Sequence, residues 1–151
     1  MRISFPFPLF LGLSLMVLSV SSFAQTGLQY PEDNSAVKVA EVMPVLINCN
    51  DVVDLEKRQS CTNDGIMSHI MSELVYPEEA RNKGLEGTVV VEFVVNRKGL
   101  VSDVKILRGL GPLDEAAMEV VRSLPTFSPG TENGKAVNVK YALPIRFSLS
   151  E

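Results

Sequence analysis

Near the C-terminal end, every odd residue from Val137 to Leu149 is apolar: Val137, Val139, Tyr141, Leu143, Ile145, Phe147 and Leu149. The positions between carry Asn138, Lys140, Ala142, Pro144, Arg146 and Ser148. Successive side chains of a strand point to opposite faces, so this run predicts a strand with one buried and one wet face. Pro144 lies inside it. Proline cannot donate to a ladder, which confines it to sheet edges, and the last strand is therefore predicted to be an edge.

Such a strand needs a sheet to join. Residues 88–95 supply a Val-rich run with Val89, Val91, Phe93 and Val95 on one face. The other face, with Thr88, Val90, Glu92, Val94 and Asn96, is half apolar. The turn Asn96-Arg97-Lys98-Gly99 ends on a glycine able to take positive φ, which predicts a hairpin. The returning strand, 101–107, sets Val104 and Ile106 on one face and Asp103, Lys105 and Leu107 on the other. From Pro112 the spacing becomes helical: Leu113, Ala116, Ala117, Val120, Val121 and Leu124 form one stripe, which Pro125 ends. Upstream, Ile66, Met67, Ile70, Met71 and Leu74 form another stripe, with Asn63 or Asp64 as its cap. Tyr76-Pro77 breaks that helix, and a short helix over 78–83 follows. The fold class read from these elements is α+β. It is a small antiparallel three-stranded sheet, ordered second hairpin strand, first hairpin strand, last strand, with two main helices on one face.

The first 24 residues read as a secretory signal peptide. Arg2 precedes a nearly wholly apolar stretch at 9–20, and Ser22-Phe23-Ala24 places small residues at a cleavage site before Gln25. Cleavage there leaves 127 residues with 13 basic and 18 acidic side chains, a net charge of −5. An acidic balance of this kind argues against nucleic acid as a partner. The expected location is periplasmic, with no retained membrane span. Cys49 and Cys61 are the two cysteines, and export favours a disulfide between them. A single histidine, His69, leaves too few ligands for a zinc site, and no cofactor is expected. Residues 25–36 are polar and turn-rich, 37–47 read as extended, and 51–59 as a short helix pinned by the bridge. The expected division is 1–24 signal peptide, 25–62 extension carrying the Cys49–Cys61 loop, and 63–151 main module.

From Tyr76 onward the chain resembles the TonB C-terminal domain family. The resemblance is carried by Tyr76-Pro77, Ala80, Gly84-Leu85-Glu86-Gly87, Phe93-Val94-Val95 with Gly99, and Val104-Lys105-Ile106-Leu107. It continues through Asp114-Glu115-Ala116, Phe127-Ser128-Pro129-Gly130 and Leu143-Pro144-Ile145-Arg146-Phe147. The resemblance implies a periplasmic module that binds an extended peptide of an outer-membrane TonB-dependent receptor, or of another envelope protein, by adding it as a strand. Carried onto this chain, the peptide-binding residues would be Asn138, Val139, Lys140, Tyr141, Ala142 and Leu143 on the last strand. Glu73, Leu74, Val75 and Tyr76 would lie nearby. An edge strand offers unpaired N–H and C=O groups that a partner strand satisfies, so the physics agrees with the resemblance.

Two other readings use the same residues. The exposed last strand could pair with a second copy, giving a structural or dimerising envelope module. An enzyme would need a placed base, nucleophile or metal, and no such motif stands out. Asp114-Glu115 and Glu78-Glu79 sit at predicted helix starts, where adjacent acids serve the helix dipole. No catalytic residue is assigned, and His69 falls off its helix's apolar stripe as a surface side chain.

Overall fold

A computed structural model describes residues 35–149. The signal-peptide reading falls outside the described residues. In chain order the elements are β1 (Val45–Leu46), α1 (Leu55–Glu73), α2 (Glu78–Asn82), β2 (Gly87–Val95) and β3 (Val101–Arg108). They continue with α3 (Asp114–Arg122), β4 (Phe127–Ser128), β5 (Gly130–Glu132), β6 (Lys135–Val137) and β7 (Val139–Phe147). The main sheet has the order β3-β2-β7, as the alternation predicts.

The long Val-rich strand becomes the centre of the sheet because it is the one with enough apolar surface to be covered. Val89, Val91, Phe93 and Val95 are buried on its helix side, facing Leu113, Ala117, Val120 and Val121 of the α3 region and Ile66 and Ile70 of α1. β7 pairs with β2 without interruption from Gly87↔Phe147 to Val95↔Val139. On the far side of β7, the Val37 N–H donates to Asn138 O at 2.9 Å and the Lys140 N–H donates to Val37 O at 2.7 Å. Backbone groups alternate sides along a strand, so the even residues of β7 face outward and the odd residues face β2. Pro144 is even. Its missing donor falls on the outer edge, and the ladder to β2 loses nothing.

β3 departs from plain alternation. Val101 sits opposite Val95 and Ser102 opposite Val94, but Lys105 is already opposite Glu92, so Asp103 and Val104 share the place facing Phe93. Asp103 takes φ +50°, and the extra residue forms a bulge. A second shift at Leu107 follows before Arg108 pairs with Val90. Bulges of this kind blunt the other edge of the sheet against further pairing.

The N-terminal half of the helical layer differs most from expectation. The short helix over 51–59 and the helix starting near Asn63 are one continuous element, α1, capped by Asp54, whose Oδ1 accepts from the Lys57 N–H at 2.9 Å. Asn63 and Asp64 lie inside it and cap nothing. The helix is held at its middle by tertiary bonds that no local pattern displays. Thr62 Oγ1 accepts from the Leu46 N–H at 3.2 Å and donates to Arg58 O at 3.0 Å. The buried face is Thr62, Ile66 and Ile70; Met67 and Met71, expected in the core stripe, are 53% and 78% exposed.

Cys49 and Cys61 form the disulfide. It ties the turn after β1 to α1, and Leu46 and Cys49 join the same core as Phe127 and Val91. β1 in turn pairs with β4, and β5 with β6. The expected boundary at 62/63 falls within α1, and the residues on both sides of it share that core. Closing this short loop contributes about 3 kcal/mol by restricting the unfolded chain. The double variant Cys49→Ala/Cys61→Ala is expected to lose about that much. Its urea midpoint should match that of the reduced wild-type chain and not respond to reductant.

Candidate functional site

The outer edge of β7 and the surface beside it form the candidate site. Asn138 and Lys140 present backbone groups outward at its start, where Val37 occupies them. Ala142, Pro144 and Arg146 follow on the same side, and β7 is the last strand of the sheet order. Val139, Tyr141 and Leu143 face β2 with their backbone. Of the residues named from the sequence, Asn138, Lys140 and Ala142 therefore carry main-chain groups on the outer edge, while the Tyr141 and Leu143 side chains stand beside it. Val139 turns its backbone to β2 and its side chain is fully buried.

Those side chains border a groove of about 250 Å³ lined by Asn63, Ile66 and Met67 of α1, and by Phe93, Tyr141, Ala142 and Leu143 of the sheet. Phe93 and Tyr141 are direct cross-strand partners, and their rings stack with centroids 5.3 Å apart and planes within 10°. The Tyr141 hydroxyl donates to Pro44 O at 3.4 Å. Burial pushes its pKa up to about 12, so the phenol stays neutral. Met67, on the rim, is half exposed and has the flexible thioether that adapts to varied partners.

Glu73, Leu74, Val75 and Tyr76 are not gathered into that groove. Glu73 and Val75 line a separate recess of about 200 Å³ against Ala116, Glu119, Val120 and Ser123. Leu74 caps α1, its N–H donating to Ile70 O at 2.9 Å. Tyr76 stands at the far end of β7, edge-on to Phe147 at 5.6 Å, with its hydroxyl donating to Leu85 O and the Arg81 guanidinium 5.9 Å from its ring. Burial, and then the Glu86 charge, raise its pKa. Pattern reading did not identify Asn63, Ile66, Met67 or Phe93 as groove residues. The available signal was the width of the α1 stripe: a helix carrying Ile66, Met67, Ile70 and Met71 has more apolar surface than one core contact covers.

On the face of the sheet away from the helices, Glu92 Oε1 is 2.9 Å from Lys105 Nζ and 3.6 Å from Lys140 Nζ. The hydrogen bond from Lys105 leads in holding this carboxyl below its ordinary range, and the charges of both lysines add to it. The Lys140 side chain is thus tied to the open face while its backbone stands at the edge. His69 Nε2 lies 2.9 Å from Ser123 Oγ, but the serine hydroxyl donates to Val120 O at 2.9 Å. No group of three or more His, Cys, Asp or Glu side chains among the described residues could hold a metal ion. No helix among them is long and apolar enough to cross a membrane.

The architecture is that of a small α+β module whose last strand closes a three-stranded antiparallel sheet beside an apolar groove. The chain belongs to the Gram-negative bacterial TonB protein C-terminal family, which matches residues 72–149. Protein TonB of Helicobacter pylori is 35% identical over 88 residues, covering 57% of this chain and 30% of that protein. Protein TonB of Vibrio cholerae is 36% identical over 76 residues, covering 49% of this chain and 31% of that protein. The chain thus spans about 30% of the length of these relatives. A solution structure of the Helicobacter pylori TonB C-terminal domain aligns over 69% of this chain and 91% of its own, at 28% identity and a TM-score of 0.48. That of the Pseudomonas aeruginosa TonB C-terminal domain aligns over 51% and 79%, at 25% identity and a TM-score of 0.42.

Proposed function

We propose that this chain is an exported, periplasmic peptide-binding module, released by cleavage after Ala24. It takes an extended segment of an outer-membrane TonB-dependent receptor as a fourth strand and so serves transport across the outer membrane. The observation that carries the reading is the juxtaposition at Ala142. An outward-facing backbone position stands directly beside a groove lined by Ile66, Met67, Phe93, Tyr141 and Leu143. Main-chain pairing supplies affinity in strand addition, and pockets for alternate side chains supply selectivity. Binding, not catalysis, is the role this arrangement supports.

The test is titration with synthetic peptides from the periplasmic N-termini of such receptors, followed by amide exchange along β7. Ala142→Pro removes the outward donor and projects a ring toward the partner, as Pro144 already does two residues on, without touching the ladder to β2. It is expected to weaken peptide binding tenfold or more, about 1.4 kcal/mol, with the urea midpoint close to wild type. Equal affinity of the variant and the wild type would remove the edge from the site. A mass that doubles with concentration in the absence of peptide would favour pairing between copies through the same strand.

A further inference from the structure

The start of the β7 edge is already occupied by the chain itself. Val37 makes a parallel bridge to Val139, and its N–H and C=O take up Asn138 O and the Lys140 N–H. Five residues later the same segment is anchored a second time, with a side-chain bond and a buried residue added to the backbone pair. Val42 exchanges two backbone bonds with Thr131, at 3.0 and 2.9 Å, and Glu41 Oε2 accepts from the Asn133 N–H at 2.8 Å. Ala40 is buried. Between these points Lys38 and Val39 are exposed, Val39 to 76%. The segment is thus fixed at residues 40–42 and bridged to the β7 edge at Val37.

We propose that Val37 is a built-in strand plug that competes with the incoming peptide for Lys140, so that the module binds tightly only once this residue has been peeled from the edge. The proposal rests on the strand-addition reading and adds an autoinhibitory step to it. A tethered competitor acts at high effective concentration however weak its own bond, because the anchor at Val42 keeps it close. An added strand that extends from Ala142 to Lys140 needs the same Lys140 N–H. It must displace Val37, whereas a shorter one confined to 142–146 need not. The plug would therefore set the length of peptide that binds without cost.

The test uses the full chain and Val37→Pro, which deletes the donor to Asn138 O and sets a ring carbon in its place. The anchor at Val42 is untouched. In the free protein, exchange of the Lys140 amide is expected to quicken at least tenfold in Val37→Pro, while the Tyr141 and Leu143 amides, which face β2, keep their protection. The probe for binding is an acetylated and amidated eight-residue peptide alternating valine with threonine and lysine. It should bind Val37→Pro roughly tenfold more tightly than wild type, the factor expected for an edge that is open about one-tenth of the time. A Lys140 amide that exchanges equally in both proteins would overturn the plug. So would equal peptide affinities for both, and if Ala142→Pro still abolished that binding, strand addition would stand without the plug. A peptide bound equally by wild type and Ala142→Pro would overturn the edge reading, and the plug as a regulator with it.

Discussion

Replacing Gly99 by alanine is expected to cost about 4 kcal/mol, a large part of the 5–15 kcal/mol that holds a domain of this size together. Two effects combine at this position. The backbone sits at φ +78°, where a side chain is strained. A Cβ built there would lie 1.7 Å from Phe127 O and 2.8 Å from Phe127 C, both backbone atoms. Phe127 has little room to retreat. Its N–H donates to Gly99 O at 2.8 Å, its side chain is buried in the core, and it pairs with Leu46 across β1 and β4. Gly134 is the internal control, with φ +73° but nothing within 4 Å of the added carbon, so Gly134→Ala should cost only about 1 kcal/mol. Urea unfolding of both variants checks this. Equal losses would mean that the hairpin turn and β4 can part freely.

Phe93→Ala is expected to cost a similar amount, about 4 kcal/mol, while Phe93→Leu loses much less. The ring is 1% exposed at the middle of the central strand, between the helices and the stacked Tyr141. Removing it opens the floor of the 250 Å³ groove and leaves the Tyr141 ring without its partner, so the site loses shape together with stability. Tyrosine titration gives a second readout. The folded phenol of Tyr141 keeps its proton up to about 12, whereas an ordinary tyrosine releases it near 10.0, because burial disfavours the charged form. Its contribution is present below pH 10 and lost as the pH rises through that window. In Phe93→Ala the shift should shrink as water reaches the ring. A Tyr141 that still titrates near 12 in the variant would place the source of burial elsewhere.

The fold was legible where one element's own periodicity carries the information. Alternation through residues 137–149 marked the last strand, whose observed extent is Val139–Phe147 with Val137 in β6 instead, Pro144 marked that strand as an edge, and the α3 stripe matched its buried residues Leu113, Ala117, Val120, Val121 and Leu124. The bulge at Asp103 was not legible, because which residue of a strand is squeezed out depends on what its partner strand presents. The unity of α1 was hidden for a related reason. Asn63 and Asp64 are good caps in isolation, and only the bonds of Thr62 to Leu46 and the bridge from Cys61 to Cys49 keep the helix running past them.

The sequence by itself determined the class of sheet, the order of its strands and the family, since these follow from local alternation, turn chemistry and the order of short motifs. Tertiary structure alone decided what the edge offers. It set Ile66 and Met67 of α1 beside Tyr141 and Leu143 to make a groove, and it sent Glu73 and Val75 to a different recess. It also laid Val37 on the outer edge of the last strand. Each of these joins residues far apart in the chain through packing or backbone bonding, and neither leaves a period in the sequence.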